Sequence, residues 1–541
     1  MVTTSNKTQS KLHGFTDNAR RISRCIFYRI LIMGFRFGTF LLHIGCSLFY
    51  CGRGKVVPPI ENPLLLKSAT VLAADIREGK VKSETIVQAY IDRIQEVEPY
   101  INATTYQRFS EAIQEARLAD ELVASGKMSR SQLLLEKPLL GIPISIKQLI
   151  QIEGLPFHGA SLDSKDVKST EDADVIKYVK KAGAIILVTT NTPEKGLNLE
   201  TFNKLNGWTN NPYDTTRSPS GSSGGEAALI GAGASVIGIG NDSAGSLRMP
   251  GLFCGIYSHK PTVGLVSPHG QFACIENVTT IGPMCRYAED LMLLLQVLSM
   301  DKNKAIKDCA VKFSKLKIYY TLSMCSKASP SLDGELKDAF LKVLSHFDRT
   351  YGIKSKEVSM PLLKKSEEIY KHNLIHASGN TEEILKLMRC PPTLNPTKEL
   401  IKYLCGVSKY TIVVPFMLKL SKLPLWYRES DVSYYKDLLQ ELQKEFDELL
   451  DDNSVFLCPT LPVTALHHVE TQCLSFSLSY VGLWNLLGLP ATHCPLGLNE
   501  NGLPLGLQVV SSKNNDGLNF LIAEELERVF GGWVSPGEIL Q

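Results

Sequence analysis

A lysine and two serines are the residues of this 541-residue chain whose types and spacing could support acyl transfer. Lys147 closes a short apolar run, Ser222 lies in the serine–glycine loop 218–226, and Ser246 lies in a second such loop, 241–250. Serine attacks a carbonyl only after a base removes its proton, and a neutral lysine can be that base. The set therefore predicts a serine nucleophile that is activated without a histidine.

The elements around these loops predict how the loops come together. The run 234–239 is a continuous apolar stretch typical of a buried strand, and it separates the two loops. Short turns would bring both loops to one end of a sheet, where α/β enzymes usually place their chemistry. Apolar runs at 184–189 and 505–510 predict further strands covered on both faces, and an amphipathic helix capped by Ser83 predicts a covering layer. This pattern predicts an α/β fold.

Each motif alone is a weak signal. A serine–glycine loop is most often a linker or turn, and a lysine at a strand end is most often a solvated charge. Their joint occurrence in this order, at separations of 75 and 24 residues, favours a catalytic site. Ser243 is a rival nucleophile in the second loop. The glycines within 231–233 lack the third glycine of a dinucleotide-binding loop, and no cofactor is expected.

Lys147 has to be neutral to act as a base. The ordinary pKa of lysine is about 10.4, so burial must lower it to roughly 7 to 8 for activity at neutral pH. The apolar neighbours Ile144 and Ile146 can supply that burial. The next residue, Gln148, is neutral and points to the opposite face of the strand, so we expect little effect from it.

The same residues resemble the motifs of the amidase signature family, in which a strand lysine and two loop serines form a Ser-Ser-Lys triad. Lys147, Ser222 and Ser246 stand at the matching positions, and the similarity extends from about residue 58 to the C-terminus. Further matching segments are 259–262, 282–290 and 488–492. The resemblance implies the amidase signature fold, a large twisted mixed β-sheet enclosed by α-helices.

The resemblance also implies a reaction and a role for each site residue. The reaction is hydrolysis of fatty-acid amides, namely primary amides and N-acylethanolamines, to fatty acid and amine. Ser246 would attack the carbonyl, Ser222 would relay its proton to Lys147, and backbone N–H groups would hold the oxyanion. The implied residues are Ser243, Ala244, Gly245 and Ser246 for the oxyanion hole, Ser223, Asp242 and Arg248 for support of that turn, and Gly196, Leu197 and Leu199 for the acyl pocket.

Three positions depart from the family pattern and keep other functions open. Ala244 and Ser220 stand where glycine is usual, and Asn241 stands where serine or threonine is usual. A Cβ at Ala244 restricts positive φ and could reshape the oxyanion turn. The alternatives are a catalytically impaired protein that binds lipid amides and an amidase acting on another small amide. The family also includes the ammonia-releasing subunit of a glutaminyl-tRNA amidotransferase, but the apolar N-terminal segment argues against that function.

Charge and composition argue against several other classes. The net charge is +3, but nine Lys and Arg residues lie in the first 55 positions against the single acid Asp17. The remainder is mildly acidic, so nucleic acid is not an expected partner. The 13 cysteines include no C-x-x-C pair and the 11 histidines include no H-E-x-x-H pattern, so no metal is expected.

The segment 30–51 is apolar except for Arg36 and a few weakly polar residues, and basic residues precede it. Its length can cross a hydrocarbon core of about 30 Å, which predicts an uncleaved single-pass anchor. The preceding positive charge would keep the N-terminus cytosolic and place the enzyme on the lumenal side. If the apolar segment starts after Arg36, the remaining length suits a signal-peptide core or an interfacial helix.

The predicted organisation has three parts. A basic segment occupies 1–29, the anchor 30–51, and a single catalytic domain 52–541. Within that domain, about 301–452 is lysine-rich and helical and is interpreted as a lid or substrate-pocket insertion. Its apolar stretch 412–426 is a core helix pair on pattern alone, whereas the resemblance favours a cap that sits on lipid. A membrane and a second copy of the chain are the expected macromolecular partners.

Overall fold

The computed structural model describes residues 33–299, 313–324, 329–379, 381–420, 431–537 and 539. The main strands within these ranges are β1 Thr104–Gln107, β2 Pro143–Lys147, β3 Ile185–Thr190, β6 Ile237–Asp242, β7 Tyr257–Lys260, β8 Thr280–Cys285, β9 Lys317–Tyr320, β10 Lys356–Glu357, β11 Ser454–Cys458, β12 Ala491–Leu498 and β13 Pro504–Ser511. They form one sheet in the order β1-β3-β2-β6-β8-β7-β12-β13-β11-β9-β10. The short strands β4 Phe202–Asn203 and β5 Gly207–Trp208 pair separately.

Parallel and antiparallel pairs are mixed in this sheet. Strand β2 is parallel to both β3 and β6, whereas β6 is antiparallel to β8. Because β2 and β6 are parallel neighbours, the residues that follow their carboxyl ends meet at the same sheet edge. The predicted mixed sheet of an α/β protein is confirmed.

Helices enclose the sheet, and β2, β3 and β6 are buried along their whole length. Residues 33–50 form α1, and the other helices are α2 Ala69–Arg77, α3 Ser83–Ile101, α4 Phe109–Ala124, α5 Arg130–Glu136, α6 Asp174–Lys181, α7 Gly224–Gly231, α8 Arg248–Cys254, α9 Glu289–Ser299, α10 Gly334–Tyr351, α11 Ser366–Ala377, α12 Thr381–Leu387, α13 Pro396–Leu404, α14 Val413–Leu420, α15 Val432–Leu449, α16 Ser479–Leu486 and α17 Asp516–Phe530.

Two local sequence predictions need correction. The strand predicted at 234–239 begins at Ile237, because Gly233 has a left-handed φ of +74° and the Ser235 hydroxyl donates to the Ile237 carbonyl. These residues therefore form the turn between α7 and β6. Ser83 does not cap α3, since Lys82 is at the N-cap position and the Ser83 hydroxyl donates to the Gly141 carbonyl at 2.8 Å.

Helix α1 lies against the main body of the protein. His43 Nδ1 lies 2.9 Å from Glu470 Oε1, and the rings of Tyr50 and His467 stack with centroids 5.2 Å apart. No helix within the described ranges combines the length and the apolar character that a bilayer span requires. The single-pass anchor predicted at 30–51 is not supported, because Arg36 and the weakly polar residues dilute the apolar character of α1. Residues 1–32 lie outside the described ranges.

The region interpreted as a lid is helical where the structure describes it. We call residues 381–420, which contain α12, α13 and α14, the lid segment. Its buried side chains form a separate apolar cluster of Ile384, Leu385, Met388, Cys390, Tyr410, Val414 and Leu418. The predicted continuation through Leu423, Leu425 and Trp426 lies outside the described residues.

Candidate active site

Lys147 and Ser222 reach each other because β2 ends where α7 begins. The Lys147 amine donates hydrogen bonds to Ser222 Oγ at 2.7 Å and to Ser223 Oγ at 2.8 Å. A third, longer contact of 3.5 Å joins the amine to the backbone carbonyl of Asn241 at the end of β6. The Gly221–Ser222 peptide bond is cis. The structure thus brings the predicted lysine and the first predicted serine into direct contact.

The Lys147 amine is completely buried, and its surroundings set its charge. Burial lowers the pKa of Lys147 to about 7, while the carboxylates of Asp242 and Glu226 oppose that change. At this pKa a large fraction of the amine is neutral at physiological pH. The group can therefore accept a proton from a neighbouring hydroxyl and return it.

Glu226 is a charged neighbour of Lys147 that the sequence reasoning missed. Its carboxylate accepts hydrogen bonds from the hydroxyls of Ser145 and Thr190, the latter at 2.6 Å. Burial raises the pKa of Glu226 to about 7, against the opposing effect of these hydroxyls and of Lys147. A signal was present, because Glu226 closes the same serine–glycine loop, 218–226, that carries Ser222 and Ser223.

Asp242 and Arg248 form the framework of the second loop. The Asp242 carboxylate accepts the N–H groups of Gly245 at 2.6 Å and Leu247 at 3.1 Å, and Arg248 donates to both of its oxygens at 3.2 Å. Burial raises the pKa of Asp242, but the Arg248 charge and these hydrogen bonds outweigh burial and leave the pKa below its ordinary value. The carboxylate therefore remains ionised and fixes the turn.

This arrangement changes one part of the predicted oxyanion hole. The N–H of Gly245 is already donated to Asp242, so in this geometry it does not point to a substrate oxygen. The N–H groups of Ser243, Ala244 and Ser246 have no acceptor among the described residues. These three remain candidate oxyanion donors.

The backbone of the turn explains why the departure at Ala244 is tolerated. Gly245 has a φ of +104°, and a Cβ there would overlap Val481, whereas Ala244 is not among the residues with positive φ. The methyl group of Ala244 therefore meets no left-handed backbone. Ser220, the other residue in place of a usual glycine, does have a positive φ of 65°.

Ser246 lies in the same compact turn as the other candidates. Its carbonyl accepts the N–H of Ser223 at 3.2 Å, which joins the two serine–glycine loops directly. The rival Ser243 has its hydroxyl 2.8 Å from Thr279 Oγ1. The hydroxyl of Ser246 has no hydrogen-bond partner among the described residues, so the structure joins Lys147 to Ser222 but does not form the Ser222–Ser246 hydrogen bond of the predicted triad.

The three residues predicted for the acyl pocket have different surroundings. Gly196 lies beside Ser222, since a Cβ on Gly196 would be 3.9 Å from Ser222 Oγ. Leu197 packs against the apolar cluster of the lid segment. Leu199 packs against the main core, and its carbonyl accepts the Ser220 hydroxyl at 3.4 Å. Gly196 and Leu197 thus connect the candidate serine Ser222 with the lid segment, whereas Leu199 is part of the core.

Polar contacts that the sequence reasoning missed hold the lid segment beside this site. The Tyr410 hydroxyl donates to Asp163 at 2.7 Å, and the buried Lys195 amine lies 2.9 Å from the same carboxylate. The N–H of Thr411 donates to Glu194 at 2.6 Å. Lys195 immediately precedes Gly196, so the attachment of the lid segment and the wall beside Ser222 share one short stretch of chain.

A model of the amidase family matches residues 85–519, which include every candidate site residue named above. The chain belongs to the amidase family and is an enzyme of that class, which acts on the carbon–nitrogen bond of amides.

Within the family, the sequence most resembles fatty-acid amide hydrolase 2 in three C-terminal segments, 494–498, 506–510 and 531–534. Relatives found by comparison agree with this finer resemblance. The chain is 38% identical over 529 residues to fatty-acid amide hydrolase 2-B of Danio rerio, covering 96% of this chain and 99% of the relative. It is 38% identical over 494 residues to fatty-acid amide hydrolase 2 of Homo sapiens, covering 90% and 93%. A solved fatty acid amide hydrolase shares the fold, with a TM-score of 0.69 at 21% identity, covering 87% of this chain and 86% of that one.

Proposed function

We propose that the protein hydrolyses fatty-acid amides, including primary fatty amides and N-acylethanolamines, through an acyl-enzyme formed on Ser246. The 2.7 Å contact between the buried Lys147 amine and Ser222 Oγ carries the proposal, because it pairs a base of suitable pKa with a hydroxyl relay. The substrate class is supported by relatives whose names specify fatty-acid amides and which align over nearly their whole length.

The proposed acylation begins with a proton relay. Ser246 Oγ attacks the amide carbon while its proton moves to Ser222 Oγ, and Ser222 gives its own proton to the Lys147 amine. The electron pair of the carbonyl π bond moves to the oxygen, which becomes an oxyanion. When the carbon–nitrogen bond breaks, the proton returns from Lys147 through Ser222 to the leaving nitrogen. The amine therefore departs neutral, which makes a poor leaving group acceptable.

Deacylation repeats the relay with water. The water oxygen attacks the acyl carbon, and its proton passes through Ser222 to Lys147. The bond to Ser246 Oγ breaks, and the relay returns the proton to that oxygen, which releases the fatty acid and restores the enzyme. In both steps the N–H groups of Ser243, Ala244 and Ser246 would stabilise the oxyanion, and losing one such donor typically costs about 3 to 4 kcal/mol in the transition state.

Acyl-chain binding is proposed to involve Gly196, Leu197 and the lid segment. Gly196 packs closely against Leu149, since a Cβ on Gly196 would lie 2.9 Å from Leu149 Cδ1 and 3.9 Å from Ser222 Oγ, and Leu197 continues that wall into the apolar cluster of the lid segment. An apolar surface beginning beside Ser222 suits a long hydrocarbon chain.

The test is hydrolysis of a series of lipid amides by the wild type, by Ser246→Ala and by the control Ser125→Ala, an exposed serine at the end of α4. We expect fatty acid release by the wild type and the control and none by Ser246→Ala. A fluorophosphonate probe followed by peptide mapping should modify Ser246. Equal hydrolysis by Ser246→Ala would overturn the proposal, whereas lipid-amide binding without hydrolysis or labelling would identify a binding protein.

We also propose that the protein associates with a membrane surface through α1. One side of this helix contacts the main body through His43 and Tyr50, while seven large apolar side chains are exposed. These are Met33, Phe37, Phe40, Leu41, Ile44, Leu48 and Phe49. A helix with an apolar face and nearby basic residues is typical of interfacial binding. A homodimer stays a prediction.

Flotation with phosphatidylcholine–phosphatidylserine vesicles tests the membrane proposal. The double variant Phe37→Asp/Phe40→Asp should reduce vesicle binding at least about tenfold, because each buried aromatic side chain contributes roughly 1.5 to 3 kcal/mol. Leu135→Asp is the control, since Leu135 is 83% exposed on α5, away from α1 in sequence. Equal binding of the wild type and the double variant would contradict the role of α1.

A further inference from the structure

We infer that Asn485 of α16 is a positioning residue for the oxyanion turn, an inference that rests on the proposed function. Its amide group is buried and contacts Asp242 and Arg248, the two side chains that hold the second loop. Asn485 lies more than 230 residues from that loop in sequence, and it belongs to none of the motifs that carry the family resemblance.

Every hydrogen-bonding group of the Asn485 side chain is used. Nδ2 donates to the Asp242 backbone carbonyl at 2.9 Å, to Asp242 Oδ1 at 3.0 Å and to the Val278 carbonyl at 3.2 Å. Oδ1 accepts from Arg248 Nη2 at 2.8 Å. The Asp242 carbonyl is the last of β6, so Asn485 fixes both the side chain and the backbone at the point where the turn begins.

Gln508 of β13 completes the support of Arg248 from the other side. Its Oε1 accepts from Arg248 Nη1 at 3.1 Å, and its Nε2 donates to the carbonyls of Pro459 at 3.0 Å and Tyr480 at 2.7 Å. Arg248 Nη1 also donates to the Val481 carbonyl at 2.9 Å. Since Tyr480 and Val481 belong to α16, this helix and β13 together set the orientation of Arg248.

This network should act on the transition state more than on substrate binding. Asn485 contacts Asp242, which in turn holds the N–H of Gly245 at 2.6 Å, and the candidate donors Ser243, Ala244 and Ser246 surround that glycine. Their N–H groups are required where negative charge develops, so a misaligned turn raises the barrier while leaving the ground-state complex largely intact. A completely satisfied buried network is also costly to disrupt in part.

The test compares Asn485→Leu with the matched control Asn519→Leu. Asn519 is equally buried on α17, but neither polar atom of its side chain has a hydrogen-bond partner within the described residues. Both variants replace a buried amide with a side chain of similar size. Reaction with a fluorophosphonate counts the folded active sites in each preparation, so kcat is expressed per labelled site.

For Asn485→Leu we expect kcat per labelled site to fall about 10- to 100-fold, with KM changed less than about threefold. Hydrolysis of a lipid amide and of the matching ester should fall by the same factor, because both reactions form the same oxyanion. Damage to the proton relay would instead affect the amide more, since the amine leaving group needs the returned proton. Asn519→Leu should retain kcat and KM within about twofold of the wild type.

Three results would overturn the inference while the proposed function stands. They are an unchanged kcat in Asn485→Leu, an equal loss in Asn519→Leu, and a loss confined to the amide substrate. If Asn485→Leu does not fold, Gln508→Leu is measured in the same way, since it removes the other uncharged side chain that accepts a hydrogen bond from Arg248. The proposed function fails separately, when wild-type hydrolysis is absent or when Ser246→Ala retains it.

Discussion

The Nζ atom of Lys147 lies 2.7 Å from Ser222 Oγ in a part of the interior where the lysine side chain has no exposed surface. Burial that makes this amine a suitable base also makes its charged form costly. Asp242 and Glu226 limit the cost through their negative charges. The proposed catalytic role of Lys147 and the stability of the fold are therefore coupled at one side chain, and this coupling leads to most of the predictions below.

Hydrolysis should increase with pH through about 7 and then level off. The base form of Lys147 is the neutral amine, and its pKa of about 7 means that protonation removes activity below that pH. A profile of kcat/KM against pH from 5 to 9, on a neutral amide substrate, measures this loss of activity on the acid side, which we call the acid limb. An acid limb near the ordinary lysine pKa of about 10.4 would show that the amine is not buried as described.

Glu226→Gln should move the acid limb to lower pH. The negative charge of Glu226 raises the pKa of Lys147, so its removal makes the ammonium less stable and extends activity toward acid. The control is Asp290→Asn, which removes another buried carboxylate whose pKa burial raises to about 6 and which does not act on Lys147. A limb that stays in place, or moves to higher pH, in Glu226→Gln would contradict the assigned interaction.

Lys147→Met should abolish hydrolysis yet stabilise the fold by about 1 to 3 kcal/mol at pH 7. A shift from about 10.4 in the unfolded chain to about 7 in the folded protein costs roughly 4 kcal/mol, and the loss of two hydrogen bonds offsets part of the gain. The unfolded chain binds more protons between these two pKa values. The stabilisation should therefore be complete below pH 7 and should diminish as the pH rises from about 7 to 10.

Lys260→Met is the matched control for that measurement. Lys260 is also completely buried with a pKa lowered to about 7, and its amine donates to the Pro261 carbonyl rather than to Ser222 or Ser246. The Lys260→Met variant should show a similar increase in the free energy of unfolding by urea, and its Ser246 should still react with a fluorophosphonate. A loss of stability in both variants would mean that burial of the amines is compensated by the surrounding dipoles.

Tyr410→Phe should loosen the lid segment without unfolding the protein. The hydroxyl donates to the Asp163 carboxylate at 2.7 Å, and a hydrogen bond to a charged group is worth about 1.5 to 3 kcal/mol. Tryptic cleavage within 381–420 should accelerate several-fold, and KM should rise for long-chain amides more than for short ones. Tyr403→Phe is the control, because the Tyr403 hydroxyl makes no hydrogen bond within the described part of the chain. Equal cleavage of the two variants would contradict the role of the Tyr410–Asp163 hydrogen bond in holding the lid segment.

Motifs close in sequence determined much of this protein by themselves. Each candidate site residue lies in a short sequence motif. Lys147 ends β2, the two serines lie in the two loops, and Asp242 and Arg248 flank the second serine. The strand patterns of β2 and β6 place these motifs at one edge of the sheet. The family assignment follows from those motifs and the family model confirms it. Local spacing is sufficient here because short turns leave little freedom in where the flanking residues lie.

Tertiary structure decided what local patterns do not encode. It showed that the Gly245 N–H is donated to Asp242 and that Asn485 and Gln508 reach Arg248 across more than 230 residues. It also placed Glu226 beside Lys147, and α1 against the main body through His43 and Tyr50. Hydrogen bonding and desolvation depend on which atoms meet in three dimensions, and those meetings depend on how distant helices pack on the sheet.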